Sequence, residues 1–153
     1  MLGKLTIVPP VQTKLTAAEL AAALRPSLLR LTRRVRNQRV DTSVSLAQLS
    51  AMGTLLKKGA MSAGELAACE RVQPPSMTKI LAGLEDKGLV TREAHPTDKR
   101  QAIIVLTQAG SDLLESERRQ RTAWLAQRIA KLAADERGAI RDVIPVLDKL
   151  AEL

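Results

Sequence analysis

One cysteine, Cys69, and one histidine, His95, are all the chain holds of the two side chains most used to ligate zinc and to activate a nucleophile. A structural zinc site takes four such ligands, and a Cys–His or Ser–His–Asp arrangement needs a base beside its nucleophile. Neither can be assembled from this sequence, and no glycine-rich phosphate loop is present. We therefore expect no enzyme, no metal and no cofactor. Fixed positive charge is what the chain has in quantity. Lys and Arg number 24 against 16 acids in 153 residues, a formal net charge of +8. That excess suits a polyanionic partner, nucleic acid or an anionic membrane surface. Phe and Tyr are absent and Trp occurs once. This speaks against RNA or single strands, whose bases stack on aromatic rings. No apolar run approaches the ~20 residues of a spanning helix, and no signal-peptide core opens the chain. A lone Cys excludes an internal disulfide framework. A cytoplasmic protein without a membrane partner is expected.

The cations need elements to aim them. Residues 1–15 carry Pro9-Pro10 and no period, and read as an arm. Leu20, Leu24, Leu28, Leu31 and Val35 then recur at helical spacing, with Pro26 expected to kink or restart the helix. From Arg25 to Arg39 there are six Arg and no acid. Ser45 with Gln48, and Ser62 with Glu65, are capping-box pairs that open two further helices. Leu46, Leu49, Met52 and Leu56 stripe the first, which Gly59 stops, and Leu66, Ala67 and Cys69 lie on the second. Pro74-Pro75 starts another helix, because proline suits the first helical position. Gly88 ends it, in the left-handed position that glycine tolerates. Leu89–Glu93 and Ala102–Leu106 are β-type runs around the polar stretch His95–Arg100, and read as a hairpin. Thr107 caps a long helix from Gln108 to about Leu132. Asp135-Glu136 opens a last one with Ile140, Val143, Ile144, Leu147 and Leu150, which Pro145 should bend.

Two short helices followed at once by a hairpin with a basic tip are the order of a winged helix-turn-helix. In that arrangement the second helix enters the DNA major groove. At about 100° per residue, Met77, Ile80, Leu81 and Leu84 share one face. Pro75, Thr78, Lys79 and Ala82 lie opposite. That outward face is small and polar with one cation. Small residues let the helix approach base edges, and Lys79 can donate to guanine or to phosphate. The helix N-terminus is also expected to attract phosphate. Gln73, Pro75, Ser76, Thr78 and Lys79 are thus the candidate reading residues, and an ordinary solvated helix face is the plain alternative. On the wing the candidates are Arg92, Asp98, Lys99 and Arg100. An Arg at a ribbon tip can enter the narrow minor groove, and Asp98 would brace Arg100.

The run from Pro75 to Arg92, with Leu84-Glu-Asp-Lys-Gly-Leu-Val-Thr-Arg92 at its end, resembles the MarR family of bacterial regulators, as do Asp98-Lys-Arg100 and Leu106-Thr-Gln-Ala-Gly110. The likeness covers nearly the whole chain. It implies a mainly α fold with a small β-hairpin wing. Dimerisation segments at 1–40 and 108–153 would flank a DNA-binding domain at 41–107. It also implies a homodimeric repressor on a pseudo-palindromic double-stranded operator in the nucleoid. Many such regulators are released by a small phenolic or aromatic acid. An effector pocket here would use Arg34, Arg39, Met52 and Trp124, with Arg34 or Arg39 meeting the carboxylate. The sequence departs from the family pattern in its stiff Pro74-Pro75 start, in Ala133 where a Ser or Thr cap is common, and in its lack of Phe and Tyr to line a pocket. Cys69 is expected to be a buried structural thiol, His95 an exposed turn residue, and Trp124 a core or dimer contact. A winged-helix module for architecture or protein contact, without effector sensing, is the other reading.

Overall fold

The computed structural model describes residues 15–95, 97 and 102–153. The chain divides into two units, at Val35 and Arg36. The first unit is occupied by helix α1 (Ala17–Arg36). Its start is closed reciprocally: the Thr16 N–H and hydroxyl donate to Glu19 Oε2 at 2.8 and 2.9 Å, and the Glu19 N–H donates to Thr16 Oγ1 at 3.2 Å. Pro26 lies inside α1 without ending it, so the expected restart does not occur. A proline deletes one helical hydrogen bond, and the flanking turns keep theirs. None of the α1 side chains is buried, and Leu20, Leu29 and Leu31 are about half exposed.

The second unit runs α2 (Leu46–Lys58), β1 (Met61–Ser62), α3 (Ala63–Glu70), α4 (Pro74–Asp86), β2 (Val90–Ala94), β3 (Ala102–Leu106), α5 (Gln108–Ile129) and α6 (Ala134–Glu152). Both capping boxes form. Ser45 Oγ accepts from the Gln48 N–H at 3.1 Å while Gln48 Oε1 accepts from the Ser45 N–H at 2.8 Å. Ser62 and Glu65 repeat the exchange at 3.2 and 2.8 Å, and the Ser62 N–H and hydroxyl hold the Glu65 carboxyl below its usual range. The hairpin forms in the register Val90↔Leu106 to Ala94↔Ala102. A strand not foreseen, β1, adds to its other side through Met61↔Ile104, giving the order β1-β3-β2. Two residues are too short for a periodicity to register.

The core is assembled from α2, α3, α4 and the sheet. Met52, Leu66, Met77, Leu81, Leu84 and Ile104 are its largest fully buried apolar side chains. Leu113 and Leu114 of α5 pack on its edge. Two glycines make this closure possible. Gly88 has φ +66, a left-handed conformation that costs a β-carbon dearly. At Gly110 a β-carbon would lie 2.3 Å from the Leu89 carbonyl oxygen, so only glycine lets α5 meet the strand this closely. Helix α5 ends at Ile129, three residues before the expected Leu132. Pro145 lies inside a continuous α6, which has no buried residue. Ala133 cannot cap α6 with its side chain, and its N–H donates instead to Glu136 Oε2 at 2.8 Å.

Two expectations fail here. Met52, placed in an effector pocket, is fully buried in the core. Cys69, expected to be buried, is exposed. The inward face of α3 is centred between Leu66 and Ala67, and Cys69 lies roughly 110° from that centre at 100° per residue. Glu117 of α5 is a buried carboxylate, 1% exposed. Its Oε1 accepts from the Val40 and Asp41 N–H groups at 2.9 and 3.1 Å. Its Oε2 meets Arg121 at 3.2 Å and Arg39 at 3.7 Å. This carboxylate fastens the segment before α2 onto α5.

Candidate nucleic-acid interface

Helix α4 divides as its sequence pattern requires. Met77, Leu81 and Leu84 are buried and Ile80 is partly so, while Pro75, Ser76, Thr78, Lys79 and Ala82 are exposed. Burial of the inner face fixes the helix, so the outer face is presented rigidly. The N-terminus of α4 differs from expectation. Pro74 and Pro75 have no N–H, and the Ser76 and Met77 N–H groups both donate to the Gln73 carbonyl, at 2.9 and 3.1 Å. No backbone amide of the first turn is left for a phosphate, so the usual anion site of a helix start is closed. The Thr78 hydroxyl donates to the Pro74 carbonyl at 3.0 Å, and so is engaged within the helix. The polar groups left on this face belong to the side chains of Ser76 and Lys79, with Gln73, which makes no side-chain cap bond, just ahead of them.

The wing is β2 and β3. Arg92, on β2, ion-pairs with Glu85 of α4, Nε to Oε1 at 2.5 Å. Asp98, Lys99 and Arg100 lie outside the described residues. His95 Nδ1 accepts from the Thr97 N–H at 3.3 Å. Glu85 stands in the last turn of α4. Its spacing of seven from Arg92 across a glycine turn carried a signal only once both elements were assigned.

Of the residues expected to form an effector pocket, the three in the second unit, Arg39, Met52 and Trp124, do not line one cavity. Met52 is core. Arg34 is exposed on α1, in the first unit. Arg39 donates to the carbonyls of Asp41 and Val44 and pairs with Glu117. Trp124 is half-buried with the Arg128 guanidinium 3.5 Å from its ring centre, a cation–π contact. A cavity of about 570 Å³ lies between α2 and α5. Leu49, Leu56 and Leu114 give it apolar wall, and Arg36, Lys57 and Arg121 give it cations. Glu117 and Arg121, one turn apart and ion-paired at 3.2 Å, stand at the wall of this cavity; their spacing marks a helical pair and carries no sign of the cavity.

A two-helix entry, a reading helix locked by its apolar face and an antiparallel ribbon beyond it make a winged helix-turn-helix, a DNA-binding module. The MarR family model matches residues 44–102. An uncharacterised HTH-type transcriptional regulator of Mycobacterium leprae is 42% identical over 135 residues, 88% of this chain and 94% of that one. The HTH-type transcriptional repressor MdtR of Bacillus subtilis is 26% identical over 125 residues, 79% and 81% of the two chains. Among solved structures, a candidate transcriptional regulator of Pseudomonas aeruginosa superposes with TM-score 0.78 at 32% identity, over 89% of this chain and 96% of that one. This chain belongs to the MarR family: it is a DNA-binding transcriptional regulator and not an enzyme. Among the described residues, no helix is long and apolar enough to cross a membrane.

Proposed function

We propose that the chain is a homodimeric repressor that reads a pseudo-palindromic double-stranded operator in the bacterial nucleoid. The observation that carries this is α4, whose apolar face is buried while Lys79, Ser76 and Thr78 stand exposed beside small residues. Gln73, Pro75, Ser76, Thr78 and Lys79 meet the major groove. Arg92 and the tip residues Asp98, Lys99 and Arg100 serve the backbone and minor groove. The flanking segments, 1–40 and 108–153, supply the dimer contact, supported by the uncovered apolar residues of α6. The name of the Bacillus relative supports repression. Release by a small anionic effector finds its support in the cationic cavity between α2 and α5, with Arg36, Lys57 and Arg121 in place of Arg34, Arg39, Met52 and Trp124.

Selection of bound DNA from a random pool tests this reading. A two-fold symmetric motif is expected, and enrichment without any motif would favour an architectural module instead. On the selected operator, Lys79→Ala should cost roughly 1–3 kcal/mol if Lys79 contacts a base, and should change the preferred sequence. A phosphate contact would lower affinity for all sequences alike and flatten the salt dependence. Unchanged affinity would mean that α4 presents another face to DNA.

A further inference from the structure

We propose that Glu85 is a positioning residue for DNA binding: it holds Arg92 in the pose from which the guanidinium meets a phosphate. This rests on the reading above, that α4 and the wing face DNA. The two side chains come from different elements and meet at 2.5 Å, Nε to Oε1, with side chains 43% and 30% exposed for Arg92 and Glu85. The corner between them does not need the pair to hold its shape. The Gly88 N–H donates to the Glu85 carbonyl at 2.8 Å and the Leu89 N–H to the Leu84 carbonyl at 2.9 Å. Thr107 clamps the same corner from β3, its hydroxyl donating to the Gly88 carbonyl at 2.7 Å and its N–H to the Leu89 carbonyl at 3.1 Å. Leu89 and Val90 are buried beneath. What the pair decides is the direction of Arg92, a long and half-exposed side chain that would otherwise sample many rotamers.

The chemistry of the two groups fits this task. A guanidinium offers five donors in a fixed plane. Glu85 stands against the Nε edge of the guanidinium, and the terminal nitrogens are the donors it would turn toward a second anion. A planar fork can serve two anions at once, as an ammonium on a flexible stem cannot. A carboxylate close to DNA is repulsive by itself, so its presence at the junction of α4 and the wing calls for a compensating gain. Fixing Arg92 before binding supplies one, since immobilising one long side chain corresponds to about two- to tenfold in affinity.

The test is titration of the selected operator with Glu85→Ala, Glu85→Gln, Arg92→Ala and the double variant, with Lys79→Ala alongside. Glu85→Ala should weaken binding about two- to tenfold while the melting temperature stays near that of the parent. Glu85→Gln, which keeps the length of the side chain but loses the charge that pairs with Arg92, should weaken binding about as much as Ala. In the Arg92→Ala background, Glu85→Ala should weaken binding no further, and Arg92→Ala should reduce the salt slope by about one phosphate. A purely coulombic role predicts the opposite sign, tighter binding by Ala and Gln alike, and that result overturns the proposal. So does a loss that persists without Arg92. If Glu85→Ala does not fold, Arg92→Lys decides: the proposal requires lower affinity at an unchanged salt slope, and unchanged affinity sinks it. Weakening by Lys79→Ala with none by Glu85→Ala removes this inference alone. A parent chain with no preferred sequence removes the reading beneath it as well.

Discussion

Between Val44 and Ile104 thirteen apolar side chains are buried among the described residues, whereas α1 and α6 bury none. Both regions carry apolar helical stripes, and those of α1 and α6 are the more one-sided. In the winged-helix region α2, α3, α4 and the sheet face one another, and every stripe finds a wall within the same chain. In α6, Val143, Ile144, Val146 and Leu150 remain 40–61% exposed. An amphipathic helix buries its apolar stripe against something, so a stripe left open in one copy asks for another surface. The DNA-reading part is thus self-sufficient in its core, and the terminal helices are where a second copy would complete the molecule.

The largest test of that contrast is within the core. Leu81→Ala empties a fully buried site under the reading helix and should cost about 2–5 kcal/mol, read by chemical denaturation at fixed protein concentration. A cost below about 1 kcal/mol would mean that the winged-helix core is looser than its burial implies. Somewhat smaller is the expected cost of Glu117→Ala. It strands the Val40 and Asp41 amides and leaves Arg39 and Arg121 without their carboxylate, for about 2–4 kcal/mol. Glu117→Gln keeps an acceptor and should fall between parent and Ala. Equal stability of all three would show that the carboxylate is a passenger. The smallest effect on the folded chain itself belongs to Ile144→Asp, at a site 51% exposed on α6. Sedimentation at micromolar concentration should show the parent as a dimer and this variant as a monomer, with far-UV dichroism unchanged. A parent that is already monomeric would break the comparison at its second term.

Much of the fold was legible because its signals are local. Ser45 with Gln48 and Ser62 with Glu65 marked helix starts, since a cap satisfies amides within three residues and consults nothing beyond them. The inward face of α4 could be assigned from Met77, Ile80, Leu81 and Leu84, because a period of 3.6 puts them on one side whatever lies opposite. Placement against distant chain was less legible. Met52 and Leu56 sit on the same sequence stripe, yet Met52 is sealed in the core and Leu56 is 56% exposed. The stripe is wider than the wall that covers it. Among the candidate site residues, the exposed set on α4 was found by period alone, and Arg39, Met52 and Trp124 of the pocket set do not share a cavity, since they come from elements whose mutual placement no spacing encodes.

The sequence by itself determined the charge that calls for a polyanion, the helix starts and stops, the hairpin and the side of α4 that faces outward. Each depends on residue type and on spacing within a turn or two. Tertiary structure alone decided that Glu117 is buried seventy-six residues from the Asp41 amide it accepts from, that Cys69 is exposed, that β1 completes the sheet and that Glu85 reaches Arg92. A carboxylate is acidic and solvated by default. It becomes a buried clasp or a strut only when folding brings donors to it, and the cost of removing it from water is met by partners the local sequence does not contain.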